Sequence, residues 1–129
     1  MRAHTLGKNE RLKSRKIIEQ LFNEGKSFMV SPFRVSYLFN QPGSAPLQFG
    51  TGVSTKNFKK AVDRNRIKRL SREAWRLQKV PLQEKLKEQN KQLSVFVIYT
   101  SKELPKYKEV SEKINKIIDR LSTMITPAK

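Results

Sequence analysis

Apolar positions along the chain follow two rhythms. Ile17, Ile18, Leu21 and Phe22 share one helical face, with Ser14 placed as an N-cap and Gly25 as a stop, which predicts a short first helix. From Phe33 the period drops to two. Phe33, Val35, Tyr37 and Phe39 alternate with Arg34, Ser36 and Leu38, as in a strand with one face on a core. Ser27 to Val30 reads as a shorter strand interrupted at Pro32. The turn formers Gln41-Pro42-Gly43-Ser44-Ala45-Pro46 carry no period, so they predict a loop joining strands as a hairpin or meander. Leu47, Phe49, Thr51 and Val53 then alternate again, giving a strand that ends near Ser54.

Past Asn57 the period changes to that of a helix. At 100° per residue, Leu70, Ala74 and Leu77 gather around Ile67 as an aliphatic stripe. Asn65, Lys68, Arg69, Arg72, Arg76 and Lys79 gather on the opposite side, with Trp75 at the border. Pro81 marks a break, and the charged segment Leu82 to Gln92 carries no assignable element. Leu93 to Thr100, with Val95, Phe96, Val97, Ile98 and Tyr99, reads as a central strand buried on both faces. A last helix follows Pro105, with Val110, Ile114, Ile117, Ile118, Leu121 and Ile125 on one face.

The order αβββαβα implies an α/β (α+β two-layer) fold, three helices on a small mixed sheet of about four strands. One domain over residues 1–129 is expected, with an ordered core of about 5–122. A strand–helix–strand unit from 47 to 100 crosses over right-handed by convention.

Charge changes this picture more than composition does. The chain has 28 Lys and Arg against 11 Asp and Glu, a net charge of +17, and ten of its bases but only two of its acids fall between Lys56 and Lys79. About half the surplus thus occupies under a fifth of the chain. So dense a field attracts a polyanion, and nucleic acid fits best; the competing reading is a solvated face. Cysteine is absent and the one histidine is His4, which removes disulfides, thiolate chemistry, Cys-containing zinc sites and Ser-His-Asp catalysis. No apolar run reaches the roughly 18 residues of a membrane span, and Met1 to Glu10 lacks a signal-peptide core, so a cytoplasmic protein without membrane partners is expected.

The strongest constellation is Asp63-Arg64-Asn65-Arg66-Ile67-Lys68-Arg69-Leu70-Ser71-Arg72, with Lys56, Lys59 and Lys60 just upstream. Arginine offers a planar fork of donors for phosphate oxygens, lysine a less directional charge, and a helix holds both in line. Glu73 and Asp63 can pair with some of them, and Arg66, beside the aliphatic stripe, is the one that packing would claim. Gly50-Thr51-Gly52-Val53-Ser54-Thr55-Lys56 lacks the spacing of a Walker loop and reads as a strand end feeding a helix. The acids are few and scattered, which argues against a protein-held metal site for hydrolysis. The strand aromatics are core by default, and any left exposed near Phe22 or Phe33 could stack single-stranded bases.

The run Arg64-Asn65-Arg66-Ile67-Lys68-Arg69-Leu70-Ser71-Arg72 resembles the basic-helix motif of the protein component of bacterial ribonuclease P, the ribonucleoprotein that removes the 5′ leader from precursor tRNA. Gly52-Val53-Ser54-Thr55-Lys56 ahead of it, and Leu12-Lys13 with Phe22-Asn23-Glu24-Gly25-Lys26-Ser27, support the likeness. The resemblance implies a left-handed crossover around the basic helix, against the usual rule. It assigns Arg64, Asn65, Arg66, Lys68, Arg69 and Arg72 to the catalytic RNA, with Lys56, Lys59, Lys60 and Arg76 counted in the same surface. A cleft between the first helix and the sheet would hold the leader, which points to Ile18, Phe22, Phe33, Ser36 and Tyr37. Ile18 and Ser36 stand where aromatics are expected, and Tyr37 alternates to the other face. By the same likeness the partners are ribonuclease P RNA and the precursor tRNA leader, with no DNA expected. The RNA would carry out hydrolysis with Mg²⁺, and no metal or catalytic group would be supplied by protein side chains. The alternative is a structural, ribosomal-type RNA-binding protein with no part in processing; a protein-only metallonuclease is the third class.

Overall fold

The computed structural model describes residues 12, 15–39 and 47–125. Ser14 and the turn run 41–46 lie outside them. The first helix, α1 (Arg15–Glu24), is followed by Gly25, whose N–H donates to the Leu21 carbonyl at 2.8 Å. Glycine is required there by close approach and not by a left-handed φ. A Cβ would collide with the carbonyl oxygens of Leu21 and Tyr37. The next two elements, β1 (Lys26–Val30) and β2 (Phe33–Phe39), form an antiparallel hairpin in which Lys26 faces Tyr37 and Val30 faces Phe33.

The sheet is completed by β3 (Leu47–Val53) and β4 (Leu93–Tyr99) in the order β1-β2-β4-β3, with β4 antiparallel to β2 and parallel to β3. The connection from β2 to β3 is therefore neither a hairpin nor a meander, because β4 lies between those strands. The reason is physical: Leu93–Tyr99 is the most apolar strand and is best buried with a partner on each edge. Strand parity then sorts the side chains. Phe33 and Val35, Leu47 and Phe49, and Leu93, Val95, Val97 and Tyr99 enter one core. Ser36, Gly50, Gly52 and Phe96 face the other side, which α1 covers.

Over the core face lie α2 (Ala61–Gln78), α3 (Val80–Glu88) and α4 (Tyr107–Ile125). All six apolar residues expected on the last helix are buried. The unassigned segment after Pro81 is a fourth helix: Pro81 sits in the first turn of α3, where its missing N–H costs nothing, and Leu82 and Leu86 reach the core. That helix ends at Asn90, whose φ of 53° suits asparagine, with the Lys91 N–H returning to the Leu86 carbonyl at 2.9 Å.

The stripe of α2 differs from the expectation in its roll. Ile67, Ser71, Ala74 and Trp75 are buried, Leu70 is half-buried and Leu77 is 44% exposed. Trp75 stacks on Phe49 with ring centroids 4.3 Å apart and 15° between planes. Ser71 is tolerated underneath because its hydroxyl donates to the Ile67 carbonyl at 2.9 Å. The helix is turned about its axis toward the indole by roughly 60°, taking 100° per residue. Large aromatic area outweighs one leucine in choosing the buried side.

This roll predicts an asymmetry between neighbours. Trp75→Ala should cost about 3–5 kcal/mol of stability, whereas Leu77→Ala should cost less than about 1 kcal/mol. Urea unfolding followed by circular dichroism measures both; equal losses would contradict the packing described.

Candidate nucleic-acid interface

A tight turn introduces α2. The Ser54 carbonyl accepts the N–H groups of Asn57 at 3.2 Å and Phe58 at 3.1 Å, and the Ser54 hydroxyl accepts that of Lys56 at 3.2 Å. Two anchors fix this turn to the sheet: Phe58 is buried against Tyr99, and Asn57 Nδ2 donates to the Thr100 carbonyl at 3.0 Å. Burial in turn pushes the Tyr99 hydroxyl pKa up. No side chain caps the start of α2. Arg64 reaches back instead, and its Nη1 donates to the carbonyls of Phe58 and Lys59, both at 2.8 Å.

Lys56, Lys59 and Lys60 on this turn, and Asn65, Arg66, Arg69 and Arg72 on α2, are exposed; Arg64, Lys68 and Arg76 are half-buried. The roll of the helix explains two reversals. Arg66 turns out to solvent, and Arg64 becomes the arginine with a structural task. Lys79 leaves the basic face altogether and is buried where α2 meets α3. Arg76 is tied to Glu73, its Nε donating to Oε2 at 3.3 Å and its Nη2 bonded to Oε1. That bond holds the Glu73 carboxyl below its ordinary pKa. What remains is a row of exposed cations near the positive end of a helix dipole, suited to an array of phosphates.

A cleft of about 300 Å³ opens on the opposite side of the sheet. Leu21 and Phe22 of α1 form its wall, Ser27, Arg34, Ser36 and Ile98 its floor, and Gly25 and Lys26 its end. Phe22 is 48% exposed and Ser36, although only 7% exposed, reaches the floor. Ile18 lies one turn earlier on α1, half-buried, and is not part of this lining. Phe33 is a correction: it is 0% exposed, edge-on to Tyr99 in the core, and cannot face a ligand. Tyr37 shares its parity and lines a separate groove with Phe39 and Met124. Gly50 and Gly52, which do not make a phosphate loop, lie inside β3 beneath the Phe96 ring.

Sequence reasoning misses Arg34, Ser27 and Ile98 of the cleft, and it counts Phe96 as core. Alternation within β2 places Arg34 on the same strand face as Ser36, a signal that is present in the sequence. The neighbours from β4 follow only from register, which pairs Arg34 with Ile98 and Ser36 with Phe96. Among the described residues no helix is long and apolar enough to cross a membrane.

The family model described as Ribonuclease P matches residues 6–122. A "Ribonuclease P protein component" of Porphyromonas gingivalis is 39% identical over 118 residues, covering 91% of this chain and 86% of that one. Among solved structures, the RNase P protein from Thermotoga maritima is 29% identical with a TM-score of 0.65, over 86% of this chain and 96% of the other. The Staphylococcus aureus RNase P protein shares the fold at a TM-score of 0.68 and 20% identity, over 92% of this chain and 100% of its own. With a match across nearly the whole chain, and with the basic helix and the α1 cleft built as described, this chain belongs to the ribonuclease P protein family.

Proposed function

We propose that the chain is the RNA-binding subunit of a ribonuclease P ribonucleoprotein, with its two surfaces serving two RNAs. Membership in the family makes it a component of an endoribonuclease that processes tRNA. In the finer reading, the turn 56–60 and the exposed face of α2 hold the catalytic RNA, and the α1 cleft takes the 5′ leader of precursor tRNA. The exposed row Asn65, Arg66, Arg69 and Arg72 with Lys56, Lys59 and Lys60 carries this reading. Its cations are carried on a helix and turn that are already formed, so no backbone ordering entropy is lost when phosphates arrive. Lys68 and Arg76 sit at the margin, and Arg76 must exchange Glu73 for phosphate to take part. Arg64 contributes by holding the turn that displays Lys59 and Lys60.

Hydrolysis in this reading belongs to the RNA, whose phosphates hold Mg²⁺. Among the described residues no three His, Cys, Asp or Glu gather to hold a metal ion. Phe22, Ser36 and the Arg34 guanidinium offer the leader one apolar and two polar contacts, a mixture suited to single-stranded nucleotides. The cytoplasm is the compartment that this role requires.

The direct test is cleavage of 5′-end-labelled precursor tRNA at low Mg²⁺ by a bacterial ribonuclease P RNA, by this protein, and by both. Product at the mature 5′ end only in the mixture is expected. Cleavage by the protein after nuclease removal of all RNA would reveal a protein active site, and a folded protein that binds the RNA without stimulating it would be a structural RNA binder.

Arg69→Ala and Arg72→Ala should each flatten the salt dependence of RNA affinity by about one unit of log–log slope for every phosphate the arginine neutralises, with thermal stability retained. Arg64→Ala should do the reverse in kind, lowering stability by about 1–3 kcal/mol through the loss of two charge-assisted hydrogen bonds. Filter binding over a salt series and thermal melts separate the two roles. Phe22→Ala should weaken binding of leader-bearing precursor by about tenfold while mature tRNA binds as before, since stacking on an aromatic is worth roughly 1–3 kcal/mol per base. Equal losses for both ligands in a folded variant would remove the leader from this cleft.

A further inference from the structure

Phe96 stands on β4 directly across from Ser36 of β2, on the sheet face that α1 covers. Its ring rests on the β3 backbone where two residues lack side chains. A Cβ at Gly50 would come within 2.6 Å of the ring, and one at Gly52 within 3.2 Å. The seat therefore requires glycine at position 50, and glycine at position 52 leaves the ring its full clearance. Against this half-buried ring sits Phe22, edge to face, with centroids 5.5 Å apart and 87° between planes. Phe22 is itself 48% exposed at the wall of the cleft.

An exposed phenylalanine on a helix ordinarily exchanges between rotamers, and a base that stacks on it must stop that exchange. A neighbouring ring in edge-to-face contact favours one orientation. We propose that Phe96, seated on Gly50 and Gly52, is a positioning residue that holds the Phe22 ring ready for a base of the single-stranded leader. The inference rests on the reading of the α1 cleft as the leader site. It also gives Ser36 a reason: with a small side chain on β2, the aromatic surface beneath α1 is supplied by the facing position on β4.

The experiment uses holoenzyme reconstituted with a bacterial ribonuclease P RNA, and compares precursor tRNA carrying a single-stranded leader with mature tRNA. Phe96→Leu removes the ring and keeps apolar volume. It should lower affinity for the leader-bearing ligand by about threefold or more, raise KM and leave kcat at saturating substrate unchanged, as expected for an edge-to-face pair. The Phe22→Ala/Phe96→Leu double variant should bind no more weakly than Phe22→Ala alone, because Phe96 acts only through Phe22. Gly52→Ala crowds the ring without opening a cavity and should give a leader-selective loss of about twofold, which decides the matter if Phe96→Leu does not fold. Full leader discrimination in folded Phe96→Leu and Gly52→Ala, or additive losses in the double variant, would overturn the positioning role. If Phe22→Ala weakens both ligands equally, the leader reading itself fails, a result distinct from either of these.

Discussion

The stacking of Trp75 on Phe49 sets the roll of α2, and the roll sets which cations meet solvent. An indole lying flat on a phenyl ring buries more area than any aliphatic contact available to this helix, so the helix turns until the two rings meet. Everything else on α2 follows at 100° per residue. Leu77 is carried outward and Lys79 inward, Arg66 joins the exposed row, and Arg64 swings to where it can reach the carbonyls of the preceding turn. One apolar contact on the buried side therefore arranges the charge on the wet side.

A helix with so many like charges is not held together by its own side chains. The Glu73–Arg76 pair is only partly shielded from water and contributes little, and no side chain caps the first turn. Stability comes from burial of Ile67, Ala74 and Trp75 against the sheet and α4, which is the usual source of helix stability in a folded protein. Polar contacts finish the junction: Gln78 donates to the Ser111 carbonyl at 3.2 Å and accepts from Asn115 at 2.8 Å. The backbone that carries the basic surface is thus in place before any polyanion arrives.

The two faces of the sheet are used differently. On the core side, β4 brings Leu93, Val95, Val97 and Tyr99 against three helices. On the other side, among the described residues, α1 covers part of the strands, and the cleft opens beside Phe22. Because β4 is central, its alternate residues serve both sides: Val97 packs in the core, while Phe96 supports the cleft wall. A small fold thus carries a charged surface and a mixed aromatic and polar cleft, built on opposite faces of one sheet.

The elements of this chain are legible in its sequence because they depend on local periodicity: α1, all four strands, α2 and α4 lie where the two rhythms place them. The basic segment is legible too, since charge density needs no knowledge of neighbours, whereas Phe22 is singled out by the family resemblance and its apolar helical face alone points to burial. The helix at Val80–Glu88 is obscured by Pro81, whose position in a first turn looks the same in sequence as a break. Burial of Phe33, the placement of β4 between β2 and β3, and the partnership of Phe22 with Phe96 over two glycines are decided only in three dimensions. The same is true of the exchange of roles between Arg64 and Arg66. The physical reason is common to all of them: strand order and helix roll are chosen by contacts between residues far apart in the chain, and a pattern read within one element specifies which faces differ but not what each face will meet.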